Sequence, residues 1–192
     1  MMGSFMIIRK VHKGGVAGLI QRIAELGDPN ILIGVPSENN KSTEGEINMA
    51  TLAAVHELGA TIKHGGGIRY QKNANGNLAK FMSHDFVGPT SGVTGAHTIK
   101  IPERSFIRST LNENKDKYIG LMIKGFQSVL EMKDSTENIY NKIGLVISND
   151  VKQKMVNGPF TPLSPATIRK KGSSKPLIDT GELRNSITWQ VK

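Results

Sequence analysis

The spacing of apolar residues alternates along the chain between a helical period and a strand period, and it predicts the order of the secondary-structure elements. Short apolar or β-branched runs predict strands over residues 5–11, 31–36 and 97–102. Longer stretches with apolar residues three or four apart predict helices. The predicted helices are residues 16–26, residues 46–58 with Gly59 as C-cap, a broken helical region over 103–130, residues 136–156, and a short basic helix that starts at Ser164 and Pro165.

Each of the four longer helical segments has one apolar face, which we expect to lie in the core. The predicted faces are Val16, Leu19, Ile20, Ile23 and Leu26 on the first helix, Ile47, Ala50, Ala54 and Leu58 on the second, Tyr118, Met122, Phe126 and Val129 on the third, and Ile139, Ile143, Val146, Ile147, Val151 and Met155 on the fourth.

Residues 63–97 have no core-forming pattern. Seven glycines fall between Gly65 and Gly95, and the turn-forming sequence NANGN lies among them. The sequences GIRYQK and LAKFM on either side predict the two arms of a hairpin about this turn. A segment of this length without a core pattern usually has a function of its own or is disordered. We therefore interpret residues 63–97 as an extended loop or hairpin insertion.

The C-terminal stretch PLIDTGELRNSITWQV is the most strongly patterned part of the chain. Asp179 and Thr180 are good helix N-cap residues, and Gly181 permits a tight entry into the helix. Leu183 and Ile187 lie four apart, which gives the short helix an apolar face. From Ile187 onward the pattern alternates. The stretch therefore predicts a short helix followed directly by a strand, and we expect that strand to pair in a sheet.

The predicted elements follow the order β-α-β-α-hairpin-β-α-α-α-β. Strands near both ends and a long helical block favour an α+β fold, in which helices cover one face of a small mixed or antiparallel sheet. A chain of 192 residues can bury one good core. We therefore expect a single α+β domain over residues 1–192, with residues 63–97 as an extended insertion.

Positive charge is concentrated in two segments. The net charge is +9, and residues 63–108 hold seven Lys and Arg against two acids, while residues 163–192 hold six against two. The rest of the chain balances at twelve against twelve. Clustered positive charge favours a polyanion or an acidic protein as partner, although basic residues also keep loops soluble.

Other features of the composition bear on the compartment. The chain contains no cysteine, which fits a reducing compartment or a particle assembled in one. The apolar run near the N-terminus is short and precedes its basic residues, the wrong order for a secretory signal. No stretch approaches the roughly 20 apolar residues of a membrane helix. We therefore expect a soluble protein without a membrane partner.

The residue types of active sites are present but not in the patterns that catalysis requires. No second histidine follows His56 at the zinc-protease spacing, and the glycines of HGGGIRY lack the Lys-Ser/Thr pair of a phosphate-binding loop. The Asp-Thr-Gly triplet at 179–181 also occurs in aspartic proteases, but there it requires a second copy or a homodimer, and a β-rich barrel. Glu57, Glu103 and Asp150 are expected to be solvated or salt-bridged. We expect no catalytic residues, no metal site and no cofactor.

Three stretches together resemble a known family. They are AAVHELGATI at 53–62, IPERSFIRSTL at 101–111 and PLSPATIRKKGSSKPLIDTGELRNSITWQV at 162–191, which cover about a quarter of the chain. As a set in this order they resemble the tail-completion and head–tail joining proteins of tailed bacteriophages, the virion-morphogenesis group found in Mu-like and lambda-like phages. Leu58 stands where the family commonly has an aromatic residue, and Ser105 where it commonly has proline. The matching residues are His56, Glu57, Gly59, Ile101, Pro102, Glu103, Arg104, Phe106, Leu177, Asp179, Thr180, Gly181, Leu183, Ser186 and Ile187.

The resemblance implies a structural role. It implies a small α+β subunit that forms a ring, typically of six copies, between the tail tube and the head connector of the virion, after assembly in the host cytoplasm. The implied partners are other copies of the chain, neighbouring neck, connector, tail-tube or terminator proteins, and phage DNA that passes through the ring without sequence specificity. No enzymatic activity is implied.

Two other functions compete with this one. A tail terminator, the ring that caps a finished tail tube, belongs to the same particle. A sequence-independent nucleic-acid-binding protein belongs to another class and is suggested by the charge. Basic residues that could contact DNA in the ring lumen or a protein partner are Arg69, Lys72, Lys80, Arg169, Lys170 and Lys171.

Overall fold

The computed structural model describes residues 15–27, 29–40, 48–76, 78–82 and 87–192, apart from the side chains of Ala79, Ala166 and Lys170. The strand predicted over residues 5–11 lies outside these residues. Within them, the chain combines helices with small antiparallel sheets. The predicted α+β class is therefore confirmed.

Seven α-helices occur in the described part of the chain. They are α1 (Gly15–Gly27), α2 (Met49–Leu58), α3 (Ile107–Glu113), α4 (Lys115–Leu130), α5 (Thr136–Asn157), α6 (Pro165–Lys171) and α7 (Glu182–Ser186). Three of these helices have a side-chain N-cap. The side chains of Asn48, Ser135 and Ser164 each accept a hydrogen bond from a backbone N–H in the first turn. Pro165 then occupies the first turn of α6, where its missing N–H costs nothing.

The described strands form three separate antiparallel sheets. They are β1 (Ile31–Gly34), β2 (Ala60–His64), β3 (Arg69–Lys72), β4 (Leu78–Phe81), β5 (Gly92–Val93), β6 (His97–Ile101) and β7 (Thr188–Val191). Strand β1 pairs with β7, β2 pairs with β6, and β3 lies between β4 and β5. The sequence pattern predicted one small sheet, but the strands between residues 60 and 101 pair only among themselves. The predicted C-terminal strand does pair, with β1.

Helix α5 links the two clusters of buried side chains that form the core. Its predicted apolar face is confirmed, with Val146 half-buried and the other five residues buried. The first cluster is Met49, Ala53, Phe106, Val151, Met155, Leu177, Leu183 and Ile187. The second cluster is Tyr118, Val129, Ile139, Ile143 and Ile147. The β1–β7 sheet and helices α1 and α4 pack on α5.

The predicted apolar face of α2 is wrong. The helix buries Met49, Ala53 and Glu57, whereas Ala54 and Leu58 are exposed; Ile47 lies outside the described residues. The reason is polar, because the carboxylate of Glu57 accepts several hydrogen bonds from the start of α3 and this side of the helix must face inward. The predicted C-cap is confirmed, since Gly59 follows the helix with a φ of 71°.

The predicted face of α1 is only partly buried. Leu19 and Leu26 are half-buried, and Leu26 packs against the second cluster. Val16, Ile20 and Ile23 remain exposed. The described residues therefore cover only part of the apolar face of this helix.

Residues 60–101 form a projection that we call the arm. Strands β2 and β6 are its stem, paired from Ala60 and Ile101 to His64 and His97. The predicted hairpin is confirmed, since β3 and β4 pair on either side of the NANGN turn, and β5 adds to β3.

Candidate functional site

The three stretches that carry the family resemblance come together in space. The end of α2, the segment that leads from β6 into α3, and the C-terminal segment from α6 to β7 meet around the first core cluster. We call this meeting point the motif junction. It joins residues far apart in the sequence, such as His56 and Lys171, which are 115 positions apart.

Glu57 ties α2 to the N-terminus of α3. Its carboxylate accepts hydrogen bonds from the backbone N–H groups of Ile107 at 2.8 Å and Arg108 at 2.9 Å, and from the hydroxyl of Ser105 at 2.8 Å. The Arg108 guanidinium adds an ion pair at 3.2 Å. The carboxylate thus caps the positive end of α3, where the first N–H groups have no partner within the helix.

These contacts keep Glu57 charged. Its burial alone raises the pKa, but the hydrogen bonds from Ile107, Arg108 and Ser105 outweigh burial and hold the pKa below its ordinary value. The expected role of Glu57 as a salt-bridged residue is confirmed. Ser105, which departs from the family's common proline, donates one of the bonds.

Gly59 permits close approach of two chain segments at the base of the arm. A Cβ atom at this position would lie 3.0 Å from the Glu103 nitrogen and 3.1 Å from the Ile101 oxygen, and the φ of 71° disfavours any residue with a side chain. Pro102 and Glu103 are exposed beside it. The Glu103 carboxylate accepts a hydrogen bond from Arg108 at 2.7 Å. Glu103 is therefore also salt-bridged, as expected.

Arg104 is buried at the centre of the motif junction. Its backbone N–H donates to the His56 carbonyl at 2.7 Å, which fixes the segment against α2. Its guanidinium lies 3.4 Å from the His56 Nδ1 and 3.4 Å from the Thr161 carbonyl. The side chain is only 4% exposed, and its Nε has no hydrogen-bond partner.

His56 and Lys171 complete a group of three basic side chains. Burial, the charge of Arg104 and the charge of Lys171 lower the pKa of His56 to about 4, so the imidazole is neutral at neutral pH. The neutral ring can then accept a hydrogen bond from Arg104 at Nδ1. Burial also lowers the pKa of Lys171; Asp179 opposes this shift, and Arg104 adds to it. The Lys171 Nζ donates to the Lys175 carbonyl at 2.8 Å.

The apolar residues of the three stretches supply packing. Phe106, Leu177, Leu183 and Ile187 all belong to the first core cluster, and Phe106 and Ile187 are fully buried. Ile101 is half-buried at the end of the arm's stem. The order of a short helix followed directly by a strand is confirmed by α7 and β7.

The predicted N-cap of the C-terminal helix is wrong. Gly181, with a φ of 87°, occupies the N-cap position of α7, and no side chain caps the helix. Asp179 and Thr180 are exposed just before it, and the Thr180 hydroxyl accepts only a long contact of 3.4 Å from the Glu182 N–H. Ser186 is buried and donates to the Leu183 carbonyl at 2.8 Å. The left-handed glycine makes the turn, so the preceding side chains are not in position to cap.

The six basic residues predicted as DNA or partner contacts fall in different places. Arg69 and Lys72 lie on β3 and Lys80 on β4, at the far part of the arm. Arg169 is exposed on α6, and the side chain of Lys170 lies outside the described residues. Lys171 is half-buried in the motif junction. Among the five of these residues whose side chains are described, the structure brings Lys171 alone to the other motif residues.

Two residues of the motif junction were not singled out by sequence reasoning. Arg108 binds both Glu57 and Glu103, and Thr161 presents its carbonyl to Arg104. Arg108 had a signal, since it is the second residue of α3 and lies five residues after Glu103. Thr161 had none, because a backbone carbonyl in a loop leaves no trace in the side-chain pattern.

No family model, curated protein or solved structure matches this chain. Among the described residues, no three His, Cys, Asp or Glu side chains are grouped so as to hold a metal ion. Within the same residues, no helix is long and apolar enough to cross a membrane.

Proposed function

We propose that this chain is a structural virion protein that forms a ring at the head–tail junction of a tailed bacteriophage, as a neck or tail-completion subunit. The observation that carries the proposal is the motif junction. Residues from three separate stretches, recognised only by their resemblance to one family, contact one another through Glu57, Arg104 and the first core cluster. A chance resemblance in three short stretches has no reason to produce a single connected site.

The arm supplies a surface for assembly. Ile62 and Ile99 lie directly opposite each other on the stem and are 46% and 41% exposed. His64 and His97 stack on the same face with ring centroids 4.9 Å apart, while Lys63 and Lys100 belong to the opposite face. A two-stranded ribbon is marginally stable alone. In the proposed ring, this apolar face packs against a neighbouring protein.

A second candidate, sequence-independent nucleic-acid binding, is favoured by the charge of the arm. Its described residues include five cations and no acid; the cations are Lys63, Arg69, Lys72, Lys80 and Lys100. In a ring, such residues could line the DNA path; in a free protein, they could bind DNA directly.

Imaging of particles from a phage that lacks this chain tests the proposal. A neck or completion protein leaves full heads and finished tails that do not join, and a tail terminator leaves overlong tubes. Single-particle images of the purified protein test the ring separately. A monomer that binds DNA with a steep salt dependence, together with normal particles from the deletion, would contradict the virion role and favour the second candidate.

A further inference from the structure

The most deeply buried cation in the described part of the chain has no counter-charge there. Arg104 has no carboxylate within ion-pair distance among the described residues. The less buried Lys117 and Lys154, by contrast, pair with Asp150 and Glu113. Buried charges are normally paired, because desolvation otherwise makes them costly. Among the described residues, Arg104 is therefore an exception to this rule.

The guanidinium is also short of hydrogen-bond partners. Arginine presents five N–H donors in a planar fork. Those of Arg104 make two contacts, to His56 Nδ1 and to the Thr161 carbonyl, both at 3.4 Å, beyond the usual range of about 2.7–3.2 Å. The Nε of Arg104 makes none. An unsatisfied buried donor of this kind requires an explanation, and a bound ion is one of the common ones.

The surroundings favour an anion. The neutral His56 ring can only accept at Nδ1 from Arg104, so it leaves the positive charge of the guanidinium uncompensated. The ammonium group of Lys171 adds positive charge close to both residues. The guanidinium also lies close to the protein surface. Its contact with the carbonyl of the exposed Thr161 is long, at 3.4 Å.

We propose that Arg104, His56 and Lys171 form a binding site for an oxyanion, either a carboxylate or a phosphate group. A planar guanidinium binds two oxygens of such a group through short, charge-assisted hydrogen bonds. The group comes either from an acidic side chain of a partner protein or from free phosphate. The site does not depend on the virion role, since it follows from the burial and bonding of Arg104 and from the neighbouring His56 and Lys171.

Thermal unfolding of the full chain at pH 7 tests the site. The melting temperature is measured in sodium chloride, sodium acetate and sodium phosphate at equal ionic strength. We expect acetate or phosphate to raise it by about 3 °C or more, with saturation, because a ligand that binds only the folded state stabilises it. A larger shift with acetate shows that the site prefers a carboxylate, which favours an acidic side chain of a partner as the ligand; a larger shift with phosphate favours free phosphate. Equal melting temperatures in all three salts would overturn the proposal.

Variants locate the effect. Lys171→Met should reduce the anion-dependent shift by at least half, whereas Arg169→Met, on the exposed side of the same helix, should leave it unchanged. Arg104→Met should abolish the shift. If that variant does not fold, the Arg104 Nε–H signal in the ¹⁵N NMR spectrum of the wild type, assigned with Arg104→Lys, replaces it and should move on addition of the anion. An equal loss of the shift in Arg169→Met would show a general charge effect and contradict the site.

Discussion

The indole of Trp189 lies against the backbone of Gly144, where the surface of α5 has no side chain. A Cβ atom at Gly144 would come within 2.6 Å of the Trp189 Cγ. The Trp189 Nε1 donates to the Asn141 side chain at 3.0 Å, one turn earlier on the same helix. This pair sets the distance between the β1–β7 sheet and α5, because the strand can approach the helix only where the glycine leaves room.

We expect Gly144→Ala to destabilise the protein by about 1–3 kcal/mol, because the added methyl group overpacks the interface with Trp189. Gly120→Ala on α4 is the matched control. It is also a helical glycine, but a Cβ there has open space, so alanine should stabilise the helix by about 0.5–1 kcal/mol. Urea unfolding measures both changes. Equal effects of the two substitutions would show that Trp189 does not pack closely on Gly144.

We expect Glu57→Gln to cost about 2–4 kcal/mol, because the amide cannot replace a carboxylate that accepts four hydrogen bonds at the start of α3. Glu113→Gln is the control. Its carboxylate also forms an ion pair, with Lys154, but it is largely exposed, so its loss should change stability by less than about 0.5 kcal/mol. Urea unfolding at pH 7 compares the two. A Glu57 variant as stable as the control would show that α3 does not depend on this cap.

Protonation of His56 should destabilise the fold in mild acid. The folded-state pKa of about 4 lies below the ordinary histidine value of 6.5, so the unfolded chain takes up a proton first as the pH falls. The stabilisation is therefore complete above pH 6.5 and is lost as the pH falls toward 4. Between pH 7 and 5 we expect a loss of about 1–2 kcal/mol, reduced from the full shift because the ring is partly exposed.

The variant His56→Gln isolates this effect. The pKa of Glu57 is also lowered, but its contribution is lost only below its ordinary value of 4.5, so the interval between pH 7 and 5 reports on histidines. Unfolding free energies of wild type and His56→Gln are compared at both ends of that interval. If the variant loses as much stability as the wild type, other groups are responsible.

We expect Leu183→Asp to prevent folding, because it places an unpaired carboxylate in the first core cluster at a cost of several kcal/mol against a total stability of roughly 5–15 kcal/mol. Leu145→Asp, on the exposed side of α5, is the control and should fold. Circular dichroism and the yield of monodisperse protein measure the outcome. A folded Leu183 variant with a wild-type melting temperature would show that the C-terminal corner is not part of the core.

The sequence predicted elements well where one local pattern decided the outcome. The face of α5 repeats regularly from Ile139 to Met155 and was correctly assigned, and the glycine-rich turn correctly placed the β3–β4 hairpin. It failed for α2, where a charged residue is buried. No apolar pattern predicts that Glu57 faces inward, since the cause is a set of hydrogen bonds from residues about fifty positions away.

The candidate site was predicted as a set of residues but not as an arrangement. The resemblance singled out His56, Arg104 and the C-terminal corner, yet nothing in their spacing indicated that Lys171 would join them. Their contact depends on how α2, α3 and α6 pack, and on the Thr161 carbonyl, which carries no side-chain signal. The wrong N-cap assignment has a similar origin, because a left-handed Gly181 changes which residue begins α7.

The far part of the arm is the segment that carries strands β3, β4 and β5. We expect the rest of the chain to fold without it, but we expect assembly to require it. Its three-stranded sheet pairs with no strand of the β1–β7 sheet, and none of its described residues belongs to either core cluster. We therefore expect replacement of residues 66–95 by a short Gly-Ser linker to change the unfolding free energy of the rest of the chain by no more than about 1 kcal/mol, since shortening a surface loop changes closure entropy only slightly.

Because the proposed function assigns partner contacts to the arm, the shortened chain should fail to restore joined particles to a phage that lacks the protein. The control is a chain in which only the NANGN sequence is replaced by another β-hairpin turn. This control keeps the three-stranded sheet and should restore the joining of heads to tails. Full restoration of joined particles by the shortened chain would contradict a role of the arm in assembly, and loss of folding would show that the arm supports the core.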